Sequence, residues 1–148
     1  MVWKPNVTVA AVVERDGRFL LVEEKTREGV KLNQPAGHLE RRESIVAAVK
    51  RETLEETAFD FAPEWITGIY RWLKPGSDLT YLRFAFSGRL GPHHPDRFLD
   101  SGIIRTVWLS RDEVLGSVAR HRSPLVARCI EDYLSGKRYA IDTLVDCV

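Results

Sequence analysis

The segment Val7 to Val13 constrains the fold more than any other stretch of the chain. It is β-branched and apolar on both parities, the signature of a strand covered on both faces. A second apolar run, Phe19 to Val22, follows across Asp16-Gly17, a strong hairpin signal. Asn33 to Leu39 contains Pro35 and Gly37 and reads as a broken strand or loop rather than a central strand. Helical periodicity runs from about Glu43 to Thr57, ahead of the breaker Pro63. Trp65 to Leu73 and Leu79 to Arg89 read as strands joined by a turn at Lys74 to Asp78. In the second of these, Thr80, Leu82, Phe84 and Phe86 share one face, and Leu79, Tyr81, Arg83 and Ala85 share the other.

Gly91 to Asp100 is a polar loop with Pro92 and Pro95, and Ile103 to Leu109 is a further strand. Ser110 and Glu113 form a capping-box pair. Ser123-Pro124 opens a last helix, which Gly136 closes as the residue after its C-cap. Leu125, Val126, Cys129, Ile130, Tyr133 and Leu134 are that helix's apolar stripe. The order predicts an α+β fold, helices packed on a mixed sheet.

With 148 residues, 44% hydrophobic, residues 1–148 are expected to form one domain with a real core. Lys and Arg number 22 against 21 Asp and Glu, so there is no bulk field for nucleic acid or an anionic membrane. Cys129 and Cys147 cannot build a disulfide framework or a four-ligand zinc site, and reduced thiols are the simpler reading. The N-terminus carries no apolar signal core and no run reaches membrane-spanning length, so a cytoplasmic protein is expected.

The informative helix is acidic. At about 100° per residue, Glu56 lies ~40° from Glu52 on one side and Glu55 ~60° on the other. These carboxylates border the arc of Ile45, Val46, Val49 and Thr53 that faces the core. Like-charge pairs at this spacing cost a few tenths of a kcal/mol each. Arg51 neutralises part of that charge, and a divalent cation offsets the rest most simply. A hard, oxygen-rich site favours Mg2+, with Mn2+ as a substitute. An acidic face alone is also compatible with a solvated surface helix.

Spacing separates these readings. Gly37, Glu43, Arg51, Glu52, Glu55 and Glu56 resemble the box of the Nudix family, G-x5-E-x7-R-E-U-x-E-E-x-G-U, with U a bulky aliphatic residue. Six such matches arise by chance in a chain this long on the order of once in 10⁵. Thr53 departs at an aliphatic position, and Ala58 replaces the last glycine. Ala58 matters if the helix ends left-handed, where a Cβ is penalised. Asn6 to Ala10, Asn33 to Glu40, Arg122 to Val126 and Ser135 to Tyr139 resemble flanking segments of the NudJ-type phosphatases within that family.

The resemblance implies a Nudix α/β/α sandwich with a mixed central β-sheet, and a Mg2+-dependent hydrolase of pyrophosphate linkages. The implied substrates are nucleoside tri- and diphosphates or thiamine-pathway pyrophosphates, namely hydroxymethylpyrimidine pyrophosphate and thiamine pyrophosphate. It implies the Gly37 carbonyl, Glu52, Glu55 and Glu56 as metal ligands, with Arg51 orienting the acids through an ion pair, Glu43 being one candidate partner. Glu52 is the favoured general base, with Asp96 and Asp100 as loop alternatives. Arg83 is a candidate phosphate contact, Tyr81 and Trp72 are candidate stacking surfaces, and Asn33 and Gln34 either bind phosphates or satisfy backbone groups of the broken strand. Arg41, Arg42, Arg51 and Arg83 are expected to border the cleft. His93 and His94 read as solvated, His38 and His121 as structural, and Cys129 as core. The partner is then a small-molecule pyrophosphate, with neither nucleic acid nor membrane, for a monomer or homodimer. A catalytically silent domain that senses such a ligand is the alternative, although no box glutamate is lost.

Overall fold

A computed structural model describes residues 1–148. Its elements are β1 (Asn6–Val12), β2 (Glu14–Arg15), β3 (Arg18–Thr26), β4 (Gly29–Asn33), β5 (Ala36–His38), α1 (Ile45–Thr57), β6 (Phe59–Leu73), β7 (Thr80–His93), β8 (Ile103–Ser110), α2 (Arg111–Leu115), α3 (Leu125–Leu134) and β9 (Tyr139–Ala140). A five-stranded mixed sheet runs β5-β1-β7-β6-β9, with β1 and β7 parallel. A second, antiparallel sheet centres on β3, which pairs with β2, β4 and β8.

Both faces of β1 are covered, as its sequence requires. Ala10 and Val12 join Tyr70, Ala85 and the α3 residues Leu125, Val126, Cys129 and Ile130 in one core. Val9 and Ala11 join Ile66, Phe86 and the α1 residues Ala48 and Val49 in the other. The mixed sheet therefore lies between α1 and α3, an α/β/α sandwich. No helix is long and apolar enough to cross a membrane.

Most local signals act where they were read, and the structure adds a cap at Ser44. Asp16 (φ 53°) and Gly17 (φ 76°) supply the two positive-φ residues of a tight hairpin. Ser44 caps α1 by accepting from the Ala47 amide at 3.1 Å, so the helix starts two residues after Glu43. The capping box of Ser110 and Glu113 is formed on α2. Ser123 Oγ accepts from the Leu125 amide at 3.2 Å, and Pro124 is already helical at φ −64°. Gly136, at φ 88°, ends α3 while Lys137 N–H donates to the Asp132 carbonyl at 3.1 Å.

Elsewhere strand pairing overrides local composition. The Asp16-Gly17 hairpin joins only β2 to the start of β3, because the chain leaves the mixed sheet after β1. Strand β6 starts at Phe59 and carries Pro63 within it, with the register shifting between Pro63 and Trp65. A Cβ at Gly88, opposite, would overlap the Ala62 carbonyl, so glycine is what lets the strands approach there. Strand β7 continues through Gly91 and Pro92 to His93, which pairs with Phe59, so the expected polar loop starts later. Strand β4 closes a hairpin on β3 that the sequence did not announce.

Candidate active site

Strand β5 is three residues long and lies at the edge of the mixed sheet, beside α1. A Cβ at Gly37 would overlap the Glu52 carboxylate, so only glycine admits that side chain against the β5 backbone. One residue earlier, the Ala36 N–H donates to Glu56 Oε1 at 2.9 Å. Two box acids are thereby set against β5 at the wall of a cavity of about 920 Å³.

Arg51 organises the remaining acids. Its Nε and Nη2 donate to the Glu43 carboxylate at 2.6 and 3.0 Å, and Nη1 donates to Glu52 Oε1 at 2.8 Å and Glu55 Oε2 at 3.1 Å. Its Nη2 also reaches the His38 carbonyl at 3.0 Å, tying α1 to β5. The box glutamate Glu43 is thus the partner anticipated for Arg51. Its carboxyl is held below the usual range chiefly by this hydrogen bond.

Glu52 and Glu56 are in the opposite condition. Burial raises the Glu52 pKa against the pull of Arg51. Burial pushes Glu56 up to about 8, with only partial relief from the Ala36 amide. Both are carboxylates whose ionised form lacks sufficient positive charge nearby.

A further acid, Asp100, reaches this cluster from the loop before β8. Ligand oxygens of Glu52, Glu55 and Asp100 lie within 4.8 Å of one another, and the Asp100 amide donates to the Glu55 carbonyl at 2.9 Å. Of the two loop candidates, Asp100 is brought in, whereas Asp96 belongs neither to this cluster nor to the cavity wall. Glu56 stands apart from the three-acid group, its carboxylate engaged by Ala36. Hard oxygen donors, a charge excess and the glycine-only approach at residue 37 together fit a divalent cation.

The cavity wall also carries Arg83, 6% exposed. Its Nη1 donates to Gln34 Oε1 at 3.0 Å, and its Nη2 to Asn33 Oδ1 at 3.2 Å. Its Nε has no partner. Gln34 departs from its expected role at the substrate: it is 1% exposed, and its Nε2 donates to the Val126 carbonyl at 2.8 Å. Both ends of the amide are occupied, so Gln34 anchors Arg83 to α3. Asn33 does border the cavity.

Tyr81 borders the cavity as well, stacked on Trp72 with ring centroids 5.6 Å apart and planes at 25°. His38, read from sequence as structural, also lines it. The cationic rim differs from expectation: Lys25, Arg27, Lys74 and Arg122 join Arg83 in lining the cavity, and Arg41, Arg42 and Arg51 do not. The rim comes from β3, its turn and segments distant in sequence, which no local spacing reveals. His93 packs on Phe59 and His94 pairs with Asp60 at 3.1 Å, both away from the cavity. His121 is buried near Ser117, with its pKa lowered by burial, and Cys129 is core.

This chain belongs to the Nudix family: the NUDIX domain matches residues 3–129. It is a hydrolase acting on pyrophosphate bonds, and enzymes of this family generally need a divalent metal. Among its relatives, Phosphatase NudJ of Escherichia coli strain K12 is 41% identical over 144 residues, 97% of this chain and 93% of that protein. A solved NUDIX hydrolase from Nitrosomonas europaea is 56% identical and superposes with a TM-score of 0.95, covering 97% of this chain and 98% of that one. The MutT NUDIX hydrolase from Burkholderia pseudomallei, 18% identical, shares the fold at a TM-score of 0.75 over 88% of this chain and 98% of its own. Within the family the chain is thus similar to the NudJ phosphatases.

Proposed function

We propose that residues 1–148 are one Nudix domain that hydrolyses, with Mg2+, the pyrophosphate linkage of nucleoside tri- or diphosphates or of thiamine-pathway pyrophosphates. The observation that carries this reading is the meeting, in one cavity, of under-neutralised buried carboxylates with a buried guanidinium that no carboxylate neutralises. A polyphosphate with its cation supplies both missing charges. Mn2+ is the expected substitute. The partner is a small molecule, and the unpaired thiols of Cys129 and Cys147 suit a cytoplasmic enzyme.

Glu52, Glu55, Glu56 and the Gly37 carbonyl would hold the metal, and Asp100 stands within reach of the same group. Bound there, the cation would neutralise phosphate charge and acidify a water. Arg51 keeps Glu52 and Glu55 in place through its shared Nη1. Glu52 is the general base: its carboxylate, set against β5 at the cavity wall, accepts the proton of the attacking water as oxygen bonds to phosphorus and the bridging P–O bond breaks. Asp100 is the alternative base. Arg83, with Asn33 beside it, takes a phosphate oxygen, and Tyr81 lies next to the substrate.

Phosphate and pyrophosphate release is measured with Mg2+, with Mn2+ and with chelator. The substrates are thiamine pyrophosphate, hydroxymethylpyrimidine pyrophosphate, and nucleoside di- and triphosphates. Turnover of at least one class that stops on chelation is expected. Undiminished turnover in chelator refutes the assignment of the acids.

A further inference from the structure

A string of polar groups crosses the core between the mixed sheet and α3. Arg83 on β7 lies directly opposite Tyr70 on β6. Directly opposed residues project from one face with Cβ atoms ~5 Å apart, so both side chains reach toward α3. There Arg83 Nη1 meets the Cys129 thiol at 3.9 Å. One helical turn on, the Tyr70 hydroxyl donates to Asp132 Oδ2 at 2.8 Å. Tyr70 and Cys129 belong to the same buried cluster.

Donor and acceptor capacity gives this string a direction. Burial opposes ionisation of Asp132, but bonds from Tyr70, Lys137 and Arg128 outweigh it and hold its pKa below the usual range. An ionised carboxylate only accepts, so the single proton of the Tyr70 hydroxyl is committed to it. The phenol oxygen is left with lone pairs alone, and the Cys129 S–H is the donor that can use them. Burial pushes the Tyr70 hydroxyl and the Cys129 thiol up, so both keep their protons at neutral pH. With its hydrogen turned to Tyr70, the sulfur presents lone pairs to Arg83. Nη1 is thereby held by two acceptors, Cys129 Sγ and Gln34 Oε1, one for each of its hydrogens. Nη2 has a single protein partner, Asn33 Oδ1 at 3.2 Å, which leaves its second hydrogen for a ligand in the cavity.

We propose that Tyr70 is a positioning residue for Arg83: anchored on Asp132, it orients the Cys129 thiol, and the thiol fixes the Nη1 end of the guanidinium so that Nη2 meets a phosphate oxygen of the substrate. The inference rests on the pyrophosphohydrolase reading and adds to it residues that touch no substrate. A guanidinium already held at one end gives up less freedom when phosphate binds, so the string raises affinity without entering the chemistry.

Binding is measured by calorimetry with Mg2+ and imidodiphosphate, a pyrophosphate analogue that resists hydrolysis, and turnover is followed on CTP and thiamine pyrophosphate. Tyr70→Phe removes the hydroxyl, Cys129→Ala the thiol and Asp132→Ala the anchor. Each should weaken imidodiphosphate about fivefold, the size of one net hydrogen bond, with KM rising in step and kcat within about twofold. Combining Tyr70→Phe with Cys129→Ala should cost no more than either alone, because one chain of bonds is broken only once. In an Arg83→Gln background, Tyr70→Phe should leave Kd unmoved, which a general loosening of the fold would not produce. Variants on both β6 and α3 guard against a folding defect in one of them. Unchanged affinity in Tyr70→Phe and Cys129→Ala, or the same fivefold loss in the Arg83→Gln background, overturns the positioning role. A wild type that binds imidodiphosphate in this pattern yet hydrolyses no pyrophosphate overturns the hydrolase reading and leaves the positioning role standing.

Discussion

Replacing Glu56 with glutamine separates the chemistry of the acidic helix from its energetics. The glutamine oxygen can still accept the Ala36 amide, so the local hydrogen bond survives. What disappears is a buried ionisable group whose pKa rises from an ordinary 4.5 to about 8, mainly through burial. Because the folded state retains a proton that the unfolded chain has lost, the wild-type protein loses stability as pH climbs through this window, and the loss levels off above about 8. At ~1.4 kcal/mol per pKa unit, the cost is about 1 kcal/mol at pH 5 and on the order of 4 kcal/mol at pH 8. Glu56→Gln should therefore abolish hydrolysis yet, in chelator, gain about 3 kcal/mol relative to wild type between those pH values, roughly 10 °C in Tm. Urea denaturation at both pH values reads the gap directly. Added Mg2+ should raise the wild-type Tm and leave the variant's nearly unchanged. A gap that does not grow with pH, or full turnover by the variant, refutes the role given to Glu56.

Three further substitutions test separate parts of the site. Gly37→Ala places a methyl against the Glu52 carboxylate and should lower kcat about 100-fold with the fold retained, as checked by circular dichroism beside the phosphate-release assay. Gln34→Leu leaves Arg83 Nη1 and the Val126 carbonyl without their buried partner, so a stability loss of about 2 kcal/mol and a raised KM are expected from urea titration and kinetics. Ala58 holds a left-handed conformation at φ 62° while 2% exposed. In Ala58→Gly, relief of ~1 kcal/mol of backbone strain roughly cancels the loss of a buried methyl, so stability should stay within about 0.5 kcal/mol. A loss above about 1.5 kcal/mol by the same titration would contradict that balance.

Much of the site was legible because its signals are local. The helical repeat put Glu52, Glu55 and Glu56 on one arc, and Ser110, Ser123 and Gly136 end or begin helices through bonds to near neighbours. The concern over Ala58 was legible for the same reason, since the substitution falls at the turn that closes α1. The place of Gln34 is not legible in the sequence because its partners, Arg83 and Val126, lie 49 and 92 residues away. Asp96 and Asp100 are equivalent in the loop's sequence, and the fold distinguishes them by bonding the Asp100 amide to the Glu55 carbonyl and grouping its carboxylate with those of Glu52 and Glu55.

The sequence by itself determined the sidedness of β1 and the spacing of the acidic helix. Those follow from side-chain periods of two and about 3.6 residues, which any local segment displays. Tertiary structure alone decided how far β6 and β7 extend past Pro63 and Pro92, which cations rim the cavity and how Trp72 meets Tyr81. It also decided that Arg83 is buried among neutral partners at the wall of the cavity that Glu52 and Glu56 line. These are matters of strand register and long-range packing, in which each residue's environment is set by chain segments that share no periodicity with it.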